Sequence, residues 1–325
     1  MAVEARINTV SNGDTEILVP LHGGTYQVVW ERSWGSGVFN PSPNQFSDFA
    51  RGINYVKGGE HKLLFGVTLN GACPADCLDC PFGRTIMAKL YTSLTDKQLT
   101  LARPISSSEL QSALERAKEI AIKNGILSQN EVFAAGALLA GDPGYSPHIP
   151  DLIATVSGFT GCEACRWSTV APDTENNVLG AFIEGATRAK EANPTHTLSF
   201  QVSLHSTDHQ ERINHTGVSR LLSMQEISMT SQRIRKITGR KLSLSFVLHE
   251  GSVLDPQVLN DNFSPDNNLI SLRPIYSRIT NPINPDRLIE LYSKLRSDNW
   301  DVVYMPPSQS YTEGGRPIEL HNMRS

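Results

Sequence analysis

The stretch that decides the fold is KLLFGVTLNGACPADCLDC, residues 62–80. Residues 62–69 form a mostly apolar run that is typical of a buried β-strand. The three cysteines that follow, Cys73, Cys77 and Cys80, have the spacing C-x3-C-x2-C, which places three thiols on the loop after that strand. Three thiolates can hold three irons of a 4Fe-4S cube, and the fourth iron stays open because a closed cluster needs a fourth protein ligand. The stretch therefore predicts a strand that leads into a site for an iron–sulfur cluster with one open iron.

Short apolar runs alternate with longer helical patterns along the rest of the chain. The predicted strands are residues 62–69, 131–139, 166–170, 198–204, 242–248, 269–275 and 300–305. The predicted helices are residues 108–124, 147–158, 175–191, a long stretch that ends near residue 237, and 286–297. Ser106 and Glu109 are spaced as a capping box at the start of the first of these helices. Six repeats of strand then helix predict an α/β fold whose parallel sheet is a partial (β/α)6 barrel, with functional side chains at the C-terminal ends of its strands.

Three regions are predicted along the chain. Residues 1–60 lack the strand–helix rhythm and contain two short strand patterns around His22-Gly23-Gly24, so they are interpreted as a β-hairpin cap on the barrel. Residues 61–305 form the barrel, and residues 306–325 form a short, polar C-terminal extension.

The composition is that of an ordinary soluble protein. Lys and Arg number 29 against 33 Asp and Glu, and the resulting net charge of −4 argues against a protein that coats nucleic acid. No apolar run approaches the roughly 20 residues of a spanning helix, and the N-terminal residues lack the apolar segment of a secretory signal. Five cysteines, odd in number and clustered, suggest a cofactor in a reducing compartment. A cytoplasmic location without membrane or nucleic-acid partners is therefore expected.

The cysteine spacing, placed after the first strand of a βα barrel, resembles the radical S-adenosylmethionine (radical SAM) superfamily over residues 62–305. The resemblance implies a 4Fe-4S cluster on Cys73, Cys77 and Cys80 and S-adenosylmethionine bound at the open iron. It also implies that a 5′-deoxyadenosyl radical abstracts hydrogen from a substrate, and that a flavodoxin or ferredoxin supplies the electron.

Several strand ends are similar to the ribosomal RNA adenine methyltransferase branch of that superfamily. The resemblance implies that these residues contact S-adenosylmethionine: Gly141, Asp142, Pro143, Ser168, Ser203, His205 and Tyr276. Other interpretations remain open, because Asp-Pro-Gly is strong turn chemistry, Ser206 and Asp208 are good helix caps, and His205 could be a structural histidine. His249, Glu250 and Arg273 also follow or end strands and are the candidate catalytic residues, with rim salt bridges as the alternative.

The cysteine count bears on the reaction. The RNA methyltransferases of this branch need further cysteines, one of them near the C-terminus, and this sequence has none after Cys165. The prediction is therefore a radical SAM enzyme that acts on a small polar metabolite of a biosynthetic pathway, such as a sugar, nucleoside or amino-acid derivative. Rearrangement, dehydration, C–C bond formation and epimerisation all remain open.

Two alternatives are retained. One is a divergent RNA-modifying methyltransferase. The other is a zinc-stabilised binding module in which Cys77 and Cys80 pair with Cys162 and Cys165, although the gap between the two pairs is far longer than the usual roughly 15–20 residues. Cys162 and Cys165 are expected to precede the third strand at the N-terminal end of the barrel, as buried structural thiols.

Overall fold

The computed structural model describes residues 6–9, 15–20, 26–33, 61–68, 75, 77–78, 104–123, 133–140, 142–274 and 283–304. Its strands are β1 Arg6–Thr9, β2 Thr15–Pro20, β3 Tyr26–Ser33, β4 His61–Thr68, β5 Phe133–Ala140, β6 Cys162–Thr169, β7 Thr197–Ser203, β8 Leu242–Leu248, β9 Asn268–Pro274 and β10 Val302–Tyr304. Its helices are α1 Ser107–Lys123, α2 Ile149–Gly158, α3 Val178–Ala192, α4 His209–Thr216, α5 Met224–Thr238, α6 Pro256–Asn262 and α7 Pro285–Ser297. A 3-10 turn, Pro143–Tyr145, follows β5.

The strands form one sheet in which their spatial order is their order along the chain, from β1 to β10. Every neighbouring pair from β4 to β10 is parallel, whereas the pairs from β1 to β4 are antiparallel. Within the described residues, β1 and β10 each have one neighbour, so the sheet is open. The architecture is the expected partial α/β barrel, in which helices connect parallel strands.

Most predicted elements agree with the structure to within a few residues, and two differ. The third barrel strand begins at Cys162 rather than at residue 166, so Cys162 and Cys165 lie inside β6 instead of before it. The long helical stretch is two helices, because Gly217 adopts a left-handed conformation at φ 64° and ends α4. Ser223 then starts α5 through a reciprocal capping box with Glu226.

The N-terminal hairpin is present and continues the sheet. β2 and β3 pair antiparallel, with Ile17 opposite Val29. β3 in turn pairs antiparallel with β4, with Val29 opposite Phe65. The hairpin therefore extends the edge of the sheet, while the division of the chain at residues 60 and 305 stays a prediction.

One face of the parallel strands is packed against helices. Large apolar side chains alternate along β6 to β9 and lie in one core with α2, α3 and α5, and the rings of Phe182 and Phe200 have centroids 4.6 Å apart. Gly185 allows α3 to approach α2 closely, since a Cβ there would lie 2.6 Å from Ile153 Cδ1. This core fixes the sheet and turns the remaining side chains of each strand to the opposite face.

We call that opposite side of β6 to β9 the inner face. From Arg166 onward along β6 and from Ser199 onward along β7, and over the full length of β8 and β9, it presents Arg166, Ser168, Ser199, Gln201, Ser203, Ser243, Ser245, Val247, Leu269, Ser271 and Arg273. Six of these eleven side chains are serines and two are arginines. Closed βα barrels usually fill this side with bulky branched apolar residues. The inner face is instead polar and built mainly of small side chains.

No helix in the described part of the chain has the length and apolar character needed to cross a membrane.

Candidate functional site

The cysteine loop lies beside the C-terminal ends of the parallel strands. Cys77 is half-buried, and the amide of the next residue, Leu78, donates a hydrogen bond to the His215 carbonyl at 2.9 Å. Ala75 is buried against Val170, which directly follows β6, in a small apolar cluster that Cys77 also contacts. The loop that follows β4 therefore lies against the segments that follow β6 and β7. Cys73 and Cys80 lie outside the described residues, so their role as metal ligands stays a prediction.

The helix that supports this loop, α4, is fixed at both ends. Asp208 is its N-cap, and a carboxylate oxygen accepts a hydrogen bond from the Glu211 amide at 2.7 Å. The Ser206 hydroxyl lies 2.5 Å from the Glu211 carboxylate and accepts from the Asp208 amide at 3.0 Å. The cap interpretation is thus confirmed for Asp208, whereas Ser206 instead fixes the turn that precedes the helix. α4 carries His215 on its buried side.

Asp142 ties the turn after β5 to the end of β6. Its carboxylate accepts hydrogen bonds from the Gly144 amide at 2.8 Å, the Thr169 hydroxyl at 2.7 Å and the Val170 amide at 2.6 Å. Burial raises the pKa of Asp142, although these three donors oppose the rise. These contacts show that Asp142 stabilises the turn after β5, which was the alternative to its predicted contact with S-adenosylmethionine. The predicted cofactor role of Asp142 stays a prediction, and Gly141 lies outside the described residues.

Pro143 and Gly144 are buried within the same turn. A Cβ on Gly144 would lie 2.3 Å from Pro172 Cγ, so the turn fits closely under the segment after β6. The Gly144 carbonyl accepts hydrogen bonds from the Thr174 hydroxyl at 2.6 Å and from Asn176 Nδ2 at 3.1 Å. The turn is therefore fixed by its neighbours on both sides.

Two of the predicted cofactor contacts, Ser168 and Ser203, share the inner face. Ser168 is paired across the strands with Gln201, and Ser203 is paired with Ser245. The Ser203 hydroxyl accepts a hydrogen bond from Gln201 Nε2 at 3.2 Å. The structure thus brings both serines to the side of the sheet that points away from the helices.

His205 is held in an uncommon backbone conformation at the end of β7. Its φ is 62°, in the left-handed region, and its amide donates to the Ser245 carbonyl at 3.1 Å. The ring is stacked on His215 with centroids 4.0 Å apart, and His215 is stacked on His249 at 6.2 Å. His205 Nδ1 is fully buried and has no hydrogen-bond partner among the described residues. The predicted cofactor contact and the predicted catalytic His249 therefore belong to one stack of three histidines.

The two buried rings of this stack are neutral near pH 7. Burial lowers the pKa of His205 well below its usual value, and repulsion from His215 when it is protonated and from Arg273 adds to that effect. Burial also lowers the pKa of His215 to about 4, with a further contribution from His249. The cationic neighbours reinforce the desolvation because each disfavours a second positive charge.

Arg212 lies one turn before His215 on α4 and is almost fully buried. Its Nη1 donates to the Leu222 carbonyl at 3.0 Å, while Nε and Nη2 have no partner among the described residues. Burial lowers its pKa to about 10. Neither Arg212 nor His215 was among the predicted site residues. The available signal was their i, i+3 spacing on a helix whose N-cap had been identified.

The three predicted catalytic residues are placed differently. His249 Nδ1 accepts a hydrogen bond from the Gly251 amide at 3.2 Å. The Glu250 side chain is exposed, and its backbone carbonyl accepts from Arg287 at 2.7 Å. Arg273 lies on the inner face and reaches Gln201. His249 is thus part of the histidine stack, and the charge of Arg273 acts on His205 in the same stack. Tyr276 lies outside the described residues.

Arg166 and Gln201 are functional candidates that the sequence did not single out. Arg166 Nη2 donates to Gln201 Oε1, and Arg273 Nη2 donates to the same oxygen at 3.4 Å. Side chains from β6 and β9 thereby meet at the amide group of a residue on β7. The alternation of polar and apolar residues along these strands was the signal that could have revealed it.

Cys162 and Cys165 face the helices and not this site. Both are buried in the main core, and Cys165 Sγ lies 3.3 Å from Trp167 Nε1 and 3.3 Å from His196 Nε2. Burial raises the pKa of the Cys165 thiol to about 11. The thiol therefore stays protonated, and a protonated thiol is a poor nucleophile and a poor metal ligand. The described residues contain no group of three or more His, Cys, Asp or Glu side chains that could hold a metal ion.

Comparison with solved structures shows the fold. No family model matches the chain, and no curated protein matches it. A crystal structure of a radical SAM methyltransferase from Sphaerobacter thermophilus superposes with a TM-score of 0.60 at 14% identity, over 93% of this chain and 76% of that one. A spore photoproduct lyase complexed with dinucleoside spore photoproduct gives a TM-score of 0.38 at 15% identity, over 70% of this chain and 60% of that one. The first similarity shows that this chain shares the fold of that structure.

Proposed function

We propose that this chain is a radical SAM enzyme. The observation that carries the proposal is the position of the C-x3-C-x2-C loop: it follows the first parallel strand, and its Cys77 lies half-buried beside the segments that follow β6 and β7. Functional groups of βα barrels collect at this end of the sheet. Three thiols without a fourth protein ligand are the donor set that suits a 4Fe-4S cluster with an open iron. Cys73, Cys77 and Cys80 are the residues that hold it.

When bound, the cluster and S-adenosylmethionine supply a 5′-deoxyadenosyl radical that removes a hydrogen atom from the substrate. The protein's own residues position the ligands. Ser168 and Ser203 offer hydroxyl groups from the inner face, and His205 offers a buried Nδ1 that lacks a partner among the described residues. Because an orphaned buried polar atom is costly, His205 is suited to accept or donate one hydrogen bond to a bound ligand.

The substrate we propose is a small polar metabolite. The inner face supports this choice because six serines and two arginines line it in place of bulky apolar side chains. The net charge of −4 disfavours binding of the nucleic-acid phosphate backbone. A cytoplasmic location and a flavodoxin-like or ferredoxin-like electron donor complete the proposal.

Methyl transfer is the second candidate reaction. The solved structure that superposes on this chain with a TM-score of 0.60 is that of a methyltransferase, and this similarity favours methyl transfer. Residues 166–325 contain no cysteine, which disfavours a mechanism that carries the methyl group on a cysteine in this region. A product assay separates the two reactions, because methyl transfer from S-adenosylmethionine also releases S-adenosylhomocysteine.

The decisive experiment compares two cysteine variants after anaerobic reconstitution. The wild-type protein should be brown, carry close to four irons per chain and form 5′-deoxyadenosine when reduced with dithionite in the presence of S-adenosylmethionine. Cys77→Ala should lose both the iron and the product. The matched control Cys165→Ala should keep both, because Cys165 is buried in the helix-side core. A colourless protein with stoichiometric zinc, or equal losses in both variants, would contradict the proposal.

A further inference from the structure

A buried positive charge on α4 has no counter-charge among the described residues. Arg212 is 1% exposed, and its Nη1 donates to the Leu222 carbonyl at 3.0 Å. Nε and Nη2, which form one edge of the guanidinium, have no hydrogen-bond partner in that part of the chain. Burial alone lowers the pKa of Arg212, to about 10, so the group stays cationic near pH 7 and no described carboxylate offsets its desolvation. An uncompensated buried charge is costly, and the open edge therefore indicates an anionic partner outside the described polypeptide.

Arg212 is connected to the cysteine loop by two short paths. It lies one turn before His215 on α4, and the His215 carbonyl accepts the hydrogen bond of the Leu78 amide, directly after Cys77. The residue that accepts the Nη1 hydrogen bond follows Leu221, and Leu221 belongs to the small apolar cluster that Cys77 contacts. The guanidinium is thus tied from two directions to the elements that hold the loop.

The charge of Arg212 acts on the buried groups around it. It is one of the causes that lower the pKa of His205, whose ring is stacked on the ring of His215 with centroids 4.0 Å apart. Both rings are buried and neutral near pH 7. Water and salt screen a charge much less in such surroundings than at the surface. The positive potential of Arg212 therefore extends over the buried region between α4 and the end of β7.

We propose that Arg212 stabilises the reduced state of the iron–sulfur cluster on Cys73, Cys77 and Cys80. This inference rests on the proposed function, because it needs that cluster. Reduction brings in one electron from the donor protein or from dithionite, without exchange of a bond or a proton, so the cluster and its thiolates become more negative by one charge. A fixed positive charge nearby favours the more negative state and raises the reduction potential. The same interaction supplies the counter-charge that Arg212 lacks within the described chain.

The test is a redox titration of the reconstituted protein without S-adenosylmethionine, followed by electron paramagnetic resonance of the reduced cluster. Arg212→Gln removes the charge and should lower the equilibrium constant for reduction about tenfold, which is about 59 mV for a one-electron couple. Arg212→Lys keeps the charge and should restore most of this loss. The matched control is Arg220→Gln, because Arg220 is exposed and pairs with Asp173, so its removal should leave the potential unchanged. Equal potentials in the wild-type protein and Arg212→Gln would overturn the proposal.

A second neutral variant guards against loss of folding. Arg212→Met keeps a long side chain and removes the desolvation cost of the buried guanidinium, so the protein should still unfold cooperatively and carry close to four irons per chain. Its potential should fall as far as that of Arg212→Gln. Loss of the fold or of the iron in both neutral variants would assign Arg212 a structural role and overturn the proposal.

The carboxylate of S-adenosylmethionine also fits the open edge of a guanidinium, and a binding measurement separates the two anions. Equilibrium dialysis of the oxidised protein should give an affinity for S-adenosylmethionine in Arg212→Gln within about threefold of wild type. A loss of at least tenfold with an unchanged potential would assign Arg212 to the cofactor carboxylate and overturn the proposal.

Failure of the proposed function has a different signature from failure of this inference. A wild-type protein that takes up no iron would overturn both. A wild-type protein with close to four irons, and with the same potential as its Arg212→Gln variant, would overturn only the role of Arg212.

Discussion

Asp142→Ala tests whether the carboxylate at the end of β5 is a structural group. In the wild-type protein this side chain accepts hydrogen bonds from the Gly144 amide, the Thr169 hydroxyl and the Val170 amide, all within 2.8 Å. Removal leaves three buried donors without this acceptor, at about 1–1.5 kcal/mol each. Burial also raises the carboxyl pKa, which means that the wild-type protein already bears a desolvation cost that the variant escapes. The expected net loss of unfolding free energy is about 2–4 kcal/mol.

The assay is urea unfolding followed by circular dichroism, with two further variants. Asp142→Asn keeps the oxygen that accepts from Gly144 and Thr169 but places an amide donor opposite the Val170 N–H, so about half of the loss is expected. The matched control is Asp255→Ala, because exposed Asp255 caps α6 through one hydrogen bond of 2.8 Å from the Gln257 amide. Loss of that single cap should cost about 1 kcal/mol.

One outcome would refute this account of Asp142. If Asp142→Ala were no less stable than Asp255→Ala but failed to bind S-adenosylmethionine, the carboxylate would be a ligand contact and not the tie between β5 and β6. A large loss of stability with S-adenosylmethionine binding retained in the folded fraction would support the structural role.

Three further predictions follow from helix packing and from the buried thiol. Gly185→Ala should lower the unfolding free energy by about 1–3 kcal/mol, because the new Cβ would lie 2.9 Å from Ile153 Cβ. Gly158→Ala should raise the unfolding free energy by about 0.5 kcal/mol, because its Cβ meets no atom within 4 Å. Thermal unfolding of the two variants distinguishes these outcomes. Burial lowers the pKa of His196, so as the pH falls this histidine takes up a proton in the unfolded chain before it does so in the folded protein. The unfolding free energy should therefore fall as the pH drops below about 6.5. The fall should be less steep in His196→Gln. Iodoacetamide at pH 8 should leave Cys165 unmodified in the native protein and label it after denaturation, as mass spectrometry can show; labelling of the native thiol at the denatured rate would contradict its burial and its pKa of about 11.

Periodicity was sufficient to predict most of the sheet. Residues 242–248 were predicted as a strand and are β8 without change, because alternating apolar residues with flanking breaks leave few alternatives. Residues 162–165 were missed as the start of β6, since Cys-Glu-Ala-Cys has no clear apolar alternation and its strand character comes from pairing with β5 and β7.

The site was predictable only where its residues are adjacent in sequence. The cysteine loop and the turn at Asp142 are local motifs, and the sequence located both. The convergence of Arg166 and Arg273 on Gln201 joins residues 35 and 72 positions from that glutamine, and only the register of three strands brings them together. The same holds for the ring contact between His205 and His215, which depends on a left-handed residue at the end of β7.

The order of the sheet has a consequence for how the chain is made. Because each strand pairs with the strand that precedes it along the chain, a nascent polypeptide always finds its docking edge already synthesised. Within the described sheet, no strand pairing requires the first and last strands to meet. The large entropic cost of closing one long loop is therefore avoided. Assembly on the ribosome can therefore proceed strand by strand from β1, with the newest strand forming the only growing edge.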